Sequence, residues 1–124
     1  ALDLAITILK PGAHLGDLGA TIEQAATVAG YGLVRDLGGH GVGYQVHEEP
    51  LIANFGKRGR GLKLEAGMVL AIEPMFNLGS GEVIFMPDGY VVKTKDGQPS
   101  AHFEHTVLVT TGLPEILTTP EEVI

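Results

Sequence analysis

The chain contains the sequence Tyr90-Val91-Val92-Lys93-Thr94-Lys95, followed by Asp96-Gly97 and then by a second run from Ala101 through Thr110. Both runs are rich in the β-branched and aromatic residues that favour strands. The Asp-Gly pair between them favours a tight hairpin, which Gln98 and Pro99 would lengthen. This region therefore predicts two antiparallel strands.

The rest of the chain after Tyr31 has the same character, with short apolar runs separated by turns that contain glycine. Two further candidate strands are Met68 to Ile72 and Glu82 to Met86, and Gly79-Ser80-Gly81 forms a turn between them. We expect an antiparallel sheet.

Before Tyr31 the apolar residues recur at helical spacing instead. One stripe comprises Leu2, Ala5, Ile6 and Leu9, and a second comprises Leu18, Ile22, Ala25, Ala26 and Ala29. The first helix should end at Lys10, because Pro11 disfavours a helical conformation in the residue before it. The second should run from about Asp17 to a left-handed Gly30. Helices followed by strands predict the α+β class, with two helices covering one face of the sheet.

Composition narrows the range of functions. The 124 residues suit one domain or part of one, and their formal net charge is −7. The positive residues form no run beyond Lys57-Arg58-Gly59-Arg60, which is typical of a basic loop, so we expect no nucleic-acid partner. The chain has no cysteine, which excludes thiolate metal sites and cysteine nucleophiles. No apolar run approaches the roughly 18 residues of a membrane helix, so we expect no membrane partner and a cytoplasmic location.

Three residues with metal-ligand side chains lie in contexts that would fix their direction. His40 is surrounded by glycine in Gly38-Gly39-His40-Gly41-Val42-Gly43, and Glu73 ends an apolar strand directly before Pro74. Strand alternation places Glu104 on one face with His102, Thr106 and Leu108, and places Phe103, His105, Val107 and Val109 on the other. A histidine with two carboxylates suits divalent manganese, iron, cobalt or zinc.

Each of these residues also has a structural interpretation. His40 could be a hydrogen-bonded structural residue, and Glu104 could belong to a solvated strand face. His47 could contact a carbonyl oxygen of a substrate or could be an ordinary loop residue. A serine hydrolase is disfavoured, because neither Ser80 nor Ser100 lies in a Gly-x-Ser-x-Gly motif.

The motifs together resemble the type I methionine aminopeptidases. In the order of that family they are Gly39-His40-Gly41-Val42-Gly43, His47-Glu48-Glu49-Pro50, Gly67-Met68, Ile72-Glu73-Pro74-Met75, Lys95-Asp96-Gly97, Ser100-Ala101 and Phe103-Glu104-His105-Thr106. Prolidases and aminopeptidases P share the family fold, but the contexts of Glu73 and Glu104 resemble the methionine enzymes more closely.

The resemblance implies a pita-bread fold, in which two α/β halves enclose a pair of divalent metal ions. It implies that His40, Glu73 and Glu104 are metal ligands, that Glu73 is also a catalytic proton shuttle, and that His47 is a catalytic residue at the scissile carbonyl. It also implies that Val46 and Tyr90 line the methionine pocket, although the family commonly has larger residues at both positions.

The family's two aspartate ligands and a further catalytic histidine lie upstream of the matched region. The first helical stripe is also already in progress at Ala1, so we expect residues 1–124 to be the C-terminal half of a catalytic domain whose N-terminal half is absent. Such a half should bind at most one metal ion, weakly, and should be inactive alone.

Three functional hypotheses follow. The chain is one part of an enzyme that removes N-terminal methionine from peptides, and it acts only when joined to its other half. Alternatively it is a natural or engineered half-domain without activity that self-associates as a homodimer, or a binding module in which the ligands persist as relics. A fragment of a proline-specific peptidase is the alternative within the same fold.

Overall fold

The computed structural model describes residues 1–119 of the protein. Within them, two helices precede ten short strands. The helices are α1 (Leu2–Thr7) and α2 (Leu15–Ala29), and the strands are β1 (Gly32–Leu33), β2 (Gly38–Gly41), β3 (Glu48–Ala53), β4 (Val69–Ile72), β5 (Met75–Asn77), β6 (Val83–Phe85), β7 (Val92–Thr94), β8 (Ser100–His102), β9 (His105–Leu108) and β10 (Glu115–Ile116).

The strands form three sheets in which every neighbouring pair is antiparallel. The largest sheet has the order β10-β9-β4-β2-β3, a second has the order β1-β5-β8, and β6 pairs with β7 alone. The predicted α+β class is confirmed, but the single sheet that we expected is divided into three.

Both helices lie close to their predicted positions. Helix α1 ends at Thr7, earlier than the predicted Lys10, because the chain tightens ahead of Pro11: the N–H of Leu9 donates to Ile6 O, three residues back, at 3.0 Å. Helix α2 begins at Leu15, because the N–H of His14 donates to the Asp17 carboxylate at 2.8 Å and caps the first turn. The left-handed Gly30 is confirmed, with φ 74°.

The helices pack on one face of the five-stranded sheet and form the core with it. This core contains Ala5, Ile6 and Leu9 from the first helical segment, Leu18 and Ile22 from α2, Leu64 from a loop, and Ile52, Leu70, Ile72, Val107 and Val109 from the sheet region. Burying each of the larger side chains contributes roughly 1.5–3 kcal/mol. The core therefore anchors β4, which ends directly before Glu73, and β9, which begins directly after Glu104.

The hairpin predicted across Asp96-Gly97 is wrong. Strand β7 pairs with β6, in a hairpin that a different Asp-Gly pair closes: the carboxylate of Asp88 accepts the N–H groups of Tyr90 and Val91, and Gly89 has φ 76°. The Asp96 carboxylate instead accepts the N–H of Ser80 at 2.8 Å, which ties this turn to a distant loop.

The single strand predicted from Ala101 to Thr110 is also wrong. It divides into β8, which pairs with β5, and β9, which pairs with β4. After the break Val107 and Val109 are buried, as the predicted alternation requires, but Phe103 lies between the two strands and is 70 % exposed. No helix in residues 1–119 has both the length and the apolar character needed to cross a membrane.

Candidate metal centre

The centre lies at the end of the five-stranded sheet where β4 ends and its neighbour β9 begins. Ile72 is paired with His105 and Met75 with His102, so Glu73-Pro74 lies opposite Phe103-Glu104. The N–H of Phe103 donates to Pro74 O at 3.4 Å across this gap. Because Pro74 has no N–H to continue the ladder, the pairing is interrupted there. The two breaks bring Glu73 and Glu104 together.

His40 reaches the same point from the neighbouring strand β2. It is paired with Ala71, two residues before Glu73. The two backbones are so close that a Cβ atom on Gly39 would lie 2.1 Å from Ala71 O. A side chain at residue 39 would force the strands apart, so this glycine permits the approach of His40 to Glu73.

The three predicted ligands form a compact cluster. One ligand atom from each of His40, Glu73 and Glu104 lies within 4.8 Å of the other two. His40 Nε2 is 3.2 Å from Glu73 Oε1, and these two side chains are 13 % and 12 % exposed. Glu104 is exposed, so the cluster is buried on one side and open on the other.

The surroundings of His40 orient its ring. Its Nδ1 lies 2.9 Å from Gly41 O, and because a carbonyl oxygen only accepts, Nδ1 is the nitrogen that carries the proton. The other ring nitrogen, Nε2, is left to face the Glu73 carboxylate. Two electron-rich groups at this distance need a proton or a cation between them, and this backbone contact is the usual support of a metal-binding histidine.

Glu73 is held in an environment that penalises its charge. Burial, and next the nearby negative charge of Glu104, raise the pKa of its carboxyl group, while His40, His102 and His47 partly offset this. Its backbone carbonyl accepts Asn54 Nδ2–H at 2.9 Å. A divalent cation would relieve the repulsion between the carboxylates, so the donor set fits one.

The other predicted site residues lie around this cluster. The ring of His47 is 4.2 Å from the ring of His40, centroid to centroid. Val46 is 73 % and Tyr90 92 % exposed. Neither lines the apolar cavity of about 550 Å³ beside the centre, to which Pro74 and Phe103 contribute. Their role in a methionine pocket stays a prediction.

Two residues that the sequence analysis did not assign to the site also contact Glu73. His102 Nε2 lies 3.3 Å from Glu73 Oε2, and Asn54 holds the Glu73 carbonyl as described. A signal for His102 was present, since alternation placed it on the face of Glu104. The sequence contained no comparable signal for Asn54, because this residue is distant from Glu73 in the chain and is buried only by tertiary packing.

Residues 1–111 match metallopeptidase family M24. The chain belongs to this family. Membership of M24 implies a divalent metal, in agreement with the donor set. The resemblance drawn from the motifs is confirmed, since methionine aminopeptidase B of Synechocystis is 53 % identical over 91 % of this chain.

The comparison with solved M24 structures confirms the pita-bread fold. The methionine aminopeptidase of Thermotoga maritima matches 96 % of this chain with 45 % identity and a TM-score of 0.92. The prolidase of Pyrococcus furiosus matches 98 % of it with 27 % identity and a TM-score of 0.67, a weaker match. This M24 chain spans 41 % of the Synechocystis protein and 48 % of the Thermotoga chain.

Proposed function

We propose that the chain supplies part of the active site of a metal-dependent aminopeptidase that removes N-terminal methionine from peptides. The cluster of His40, Glu73 and Glu104 carries this proposal. The 53 % identity to a methionine aminopeptidase supports the substrate, as does the weaker match to a prolidase.

His40, Glu73 and Glu104 would hold the metal, which we propose to be cobalt, manganese, iron or zinc. These nitrogen and oxygen donors suit such ions, and the cluster includes no thiolate. A divalent ion supplies Lewis acidity, which polarises a peptide carbonyl and makes water a stronger nucleophile at neutral pH.

The protein residues would handle protons and orient the peptide. Glu73 would also take a proton and pass it to the leaving amine, because its carboxylate is a proton acceptor that lies within the cluster. His47 would contact the scissile carbonyl, and its exposed position beside His40 supports this role. Val46 and Tyr90 would flank the methionine side chain.

The centre would be completed by residues outside this sequence. The described residues contain one cluster of at least three potential ligand residues, whereas the family resemblance implies two metal ions and two aspartate ligands. We propose that residues 1–124 are the C-terminal half of the catalytic domain, and that its partner is the N-terminal half. The 124-residue chain alone should bind one ion weakly and release no methionine.

The test titrates the 124-residue chain with Co²⁺ by calorimetry and follows release of methionine from a Met-Ala-Ser peptide. Assays contain the chain alone or with the N-terminal half of the Synechocystis relative. We expect weak binding of one ion, with release only in the mixture. His40→Ala should abolish both, whereas Glu65→Gln, an exposed carboxylate outside the cluster, should change neither. Absence of Co²⁺ binding would contradict the proposed metal centre.

A self-associating half-domain without peptidase activity is a second candidate. The cavity beside the centre is bordered by large exposed apolar side chains, among them Phe103, which is 70 % exposed, and Leu78, which is 57 % exposed. A second copy could cover them. Light scattering at high protein concentration tests this candidate, since a monomer would rule out the homodimer.

A further inference from the structure

The Glu73 carboxylate lies between two imidazole rings that come from different sheets. Its Oε1 faces His40 Nε2 at 3.2 Å, and its Oε2 faces His102 Nε2 at 3.3 Å. His40 belongs to β2 of the five-stranded sheet, and His102 ends β8 at the edge of the three-stranded sheet. The two rings therefore contact the carboxylate at opposite oxygens.

We propose that His102 is a positioning residue, which holds the plane of the Glu73 carboxylate so that Oε1 stays directed at His40. The inference rests on the proposed function of His40, Glu73 and Glu104 as metal ligands. It assigns His102 a role outside that ligand set.

A second contact is needed because the last torsion of a glutamate is soft. Rotation about χ3 has broad minima, so a single contact at Oε1 leaves the carboxylate plane free to turn. The bond from Asn54 to the Glu73 carbonyl fixes the backbone and leaves the side-chain torsions undetermined. The contact at Oε2 supplies the missing constraint.

The placement of His102 suits positioning better than coordination. The compact cluster of ligand atoms comprises His40, Glu73 and Glu104, and it does not include His102. The His102 side chain is 47 % exposed, so its contact should contribute little to folding stability. Its register opposite Met75 places the ring beside the strand break at Glu73-Pro74.

The test compares His102→Leu with His102→Gln in the 124-residue chain. Loss of a partner that orients a metal ligand typically weakens binding about 10- to 100-fold, so we expect the Co²⁺ Kd of the leucine variant to rise about tenfold. Glutamine retains an N–H donor but is a poor ligand for Co²⁺, so its Kd should stay within about threefold of the original. His105→Leu is the matched control, because His105 contacts Thr118.

Calorimetry gives the Kd, the visible spectrum of bound Co²⁺ reports the coordination geometry, and thermal unfolding in EDTA measures the stability of each variant. We expect the Co²⁺ spectrum of His102→Leu to differ from that of the original chain, while its Tm in EDTA is unchanged. The Co²⁺ spectra of the other variants should match that of the original chain. If the original chain binds Co²⁺ and His102→Leu binds it equally well, positioning is overturned. Positioning is also overturned if His102→Gln weakens Co²⁺ binding as much as His102→Leu does, since His102 would then be a ligand. No binding by the original chain would instead overturn the proposed metal centre.

Discussion

Replacing Glu104 by glutamine should make the metal-free chain more stable and its metal complex weaker. Glu104 and Glu73 contribute carboxylate oxygens that lie within 4.8 Å of each other. Without a cation their charges repel, and the Glu104→Gln substitution removes this repulsion while preserving the size of the side chain. When a cation is bound, the original chain should gain more stability than the variant, because the amide is a weaker ligand than the carboxylate.

The size of the effect follows from Coulomb's law. Two unit charges separated by the 4.8 Å of this cluster repel by about 1 kcal/mol in water and by about 3.5 kcal/mol at an effective dielectric constant of about 20. Glu104 is exposed, so solvent screening favours the lower part of this range, about 1–2 kcal/mol. For a chain of this length that corresponds to a rise in Tm of about 4–8 °C.

The assay is thermal unfolding at pH 7.5, first in EDTA and then in saturating Co²⁺. In EDTA the Glu104→Gln variant should have a higher Tm than the original chain. Saturating Co²⁺ should raise the Tm of the variant by less than it raises the Tm of the original chain. Glu65→Gln is the control for the loss of one negative charge, because Glu65 is exposed and lies outside the cluster.

Two results would refute this reasoning. A lower Tm for Glu104→Gln in EDTA would mean that the carboxylate forms a favourable contact in the metal-free protein. An equal rise in Tm on addition of Co²⁺ to the original chain and to the Glu104→Gln variant would mean that Glu104 does not bind the ion.

Three further predictions concern the support of the centre. Because burial and Glu104 raise the pKa of Glu73, the folded metal-free chain holds this proton more tightly than the unfolded chain, so its stability should fall as pH rises from about 4.5 through the raised pKa. In urea unfolding measured across this pH range, Glu73→Gln should abolish this pH dependence of the free energy of unfolding. Asn54→Ala should lower the free energy of unfolding by about 2 kcal/mol, because it leaves the partly buried Glu73 carbonyl without its donor, and an unchanged urea midpoint would contradict this. Gly39→Ala should lower it by about 1–3 kcal/mol by forcing β2 from β4, whereas Gly112→Ala, whose nearest neighbour would be 3.8 Å away, should have little effect on the same measurement.

Features that depend on neighbouring residues were predictable from the sequence. The apolar stripe of α2 and the left-handed Gly30 both follow from local periodicity and backbone preference. Strand β4 ends at Ile72, directly before Glu73-Pro74, because Pro74 has no N–H to continue the pairing. The motifs around His40, Glu73 and Glu104 were sufficient to indicate the family.

Strand pairing was not predictable in the same way. The chain has two Asp-Gly pairs between strand-like runs, and local preference does not distinguish them. The structure uses Asp88-Gly89 for the hairpin, while the Asp96 carboxylate accepts Ser80 N–H, a contact between residues far apart in the sequence. The division of residues 100–108 into two strands likewise depends on partners β5 and β4.

The amino-acid sequence by itself therefore determined the helices, the strand-forming runs and the chemical types available at the centre, because each depends on residues adjacent in the chain. Only the tertiary structure decided that the strand breaks at Glu73 and Glu104 coincide, and that His102 and Asn54 contact Glu73. These contacts follow from the register between strands, which is set by packing of the whole core.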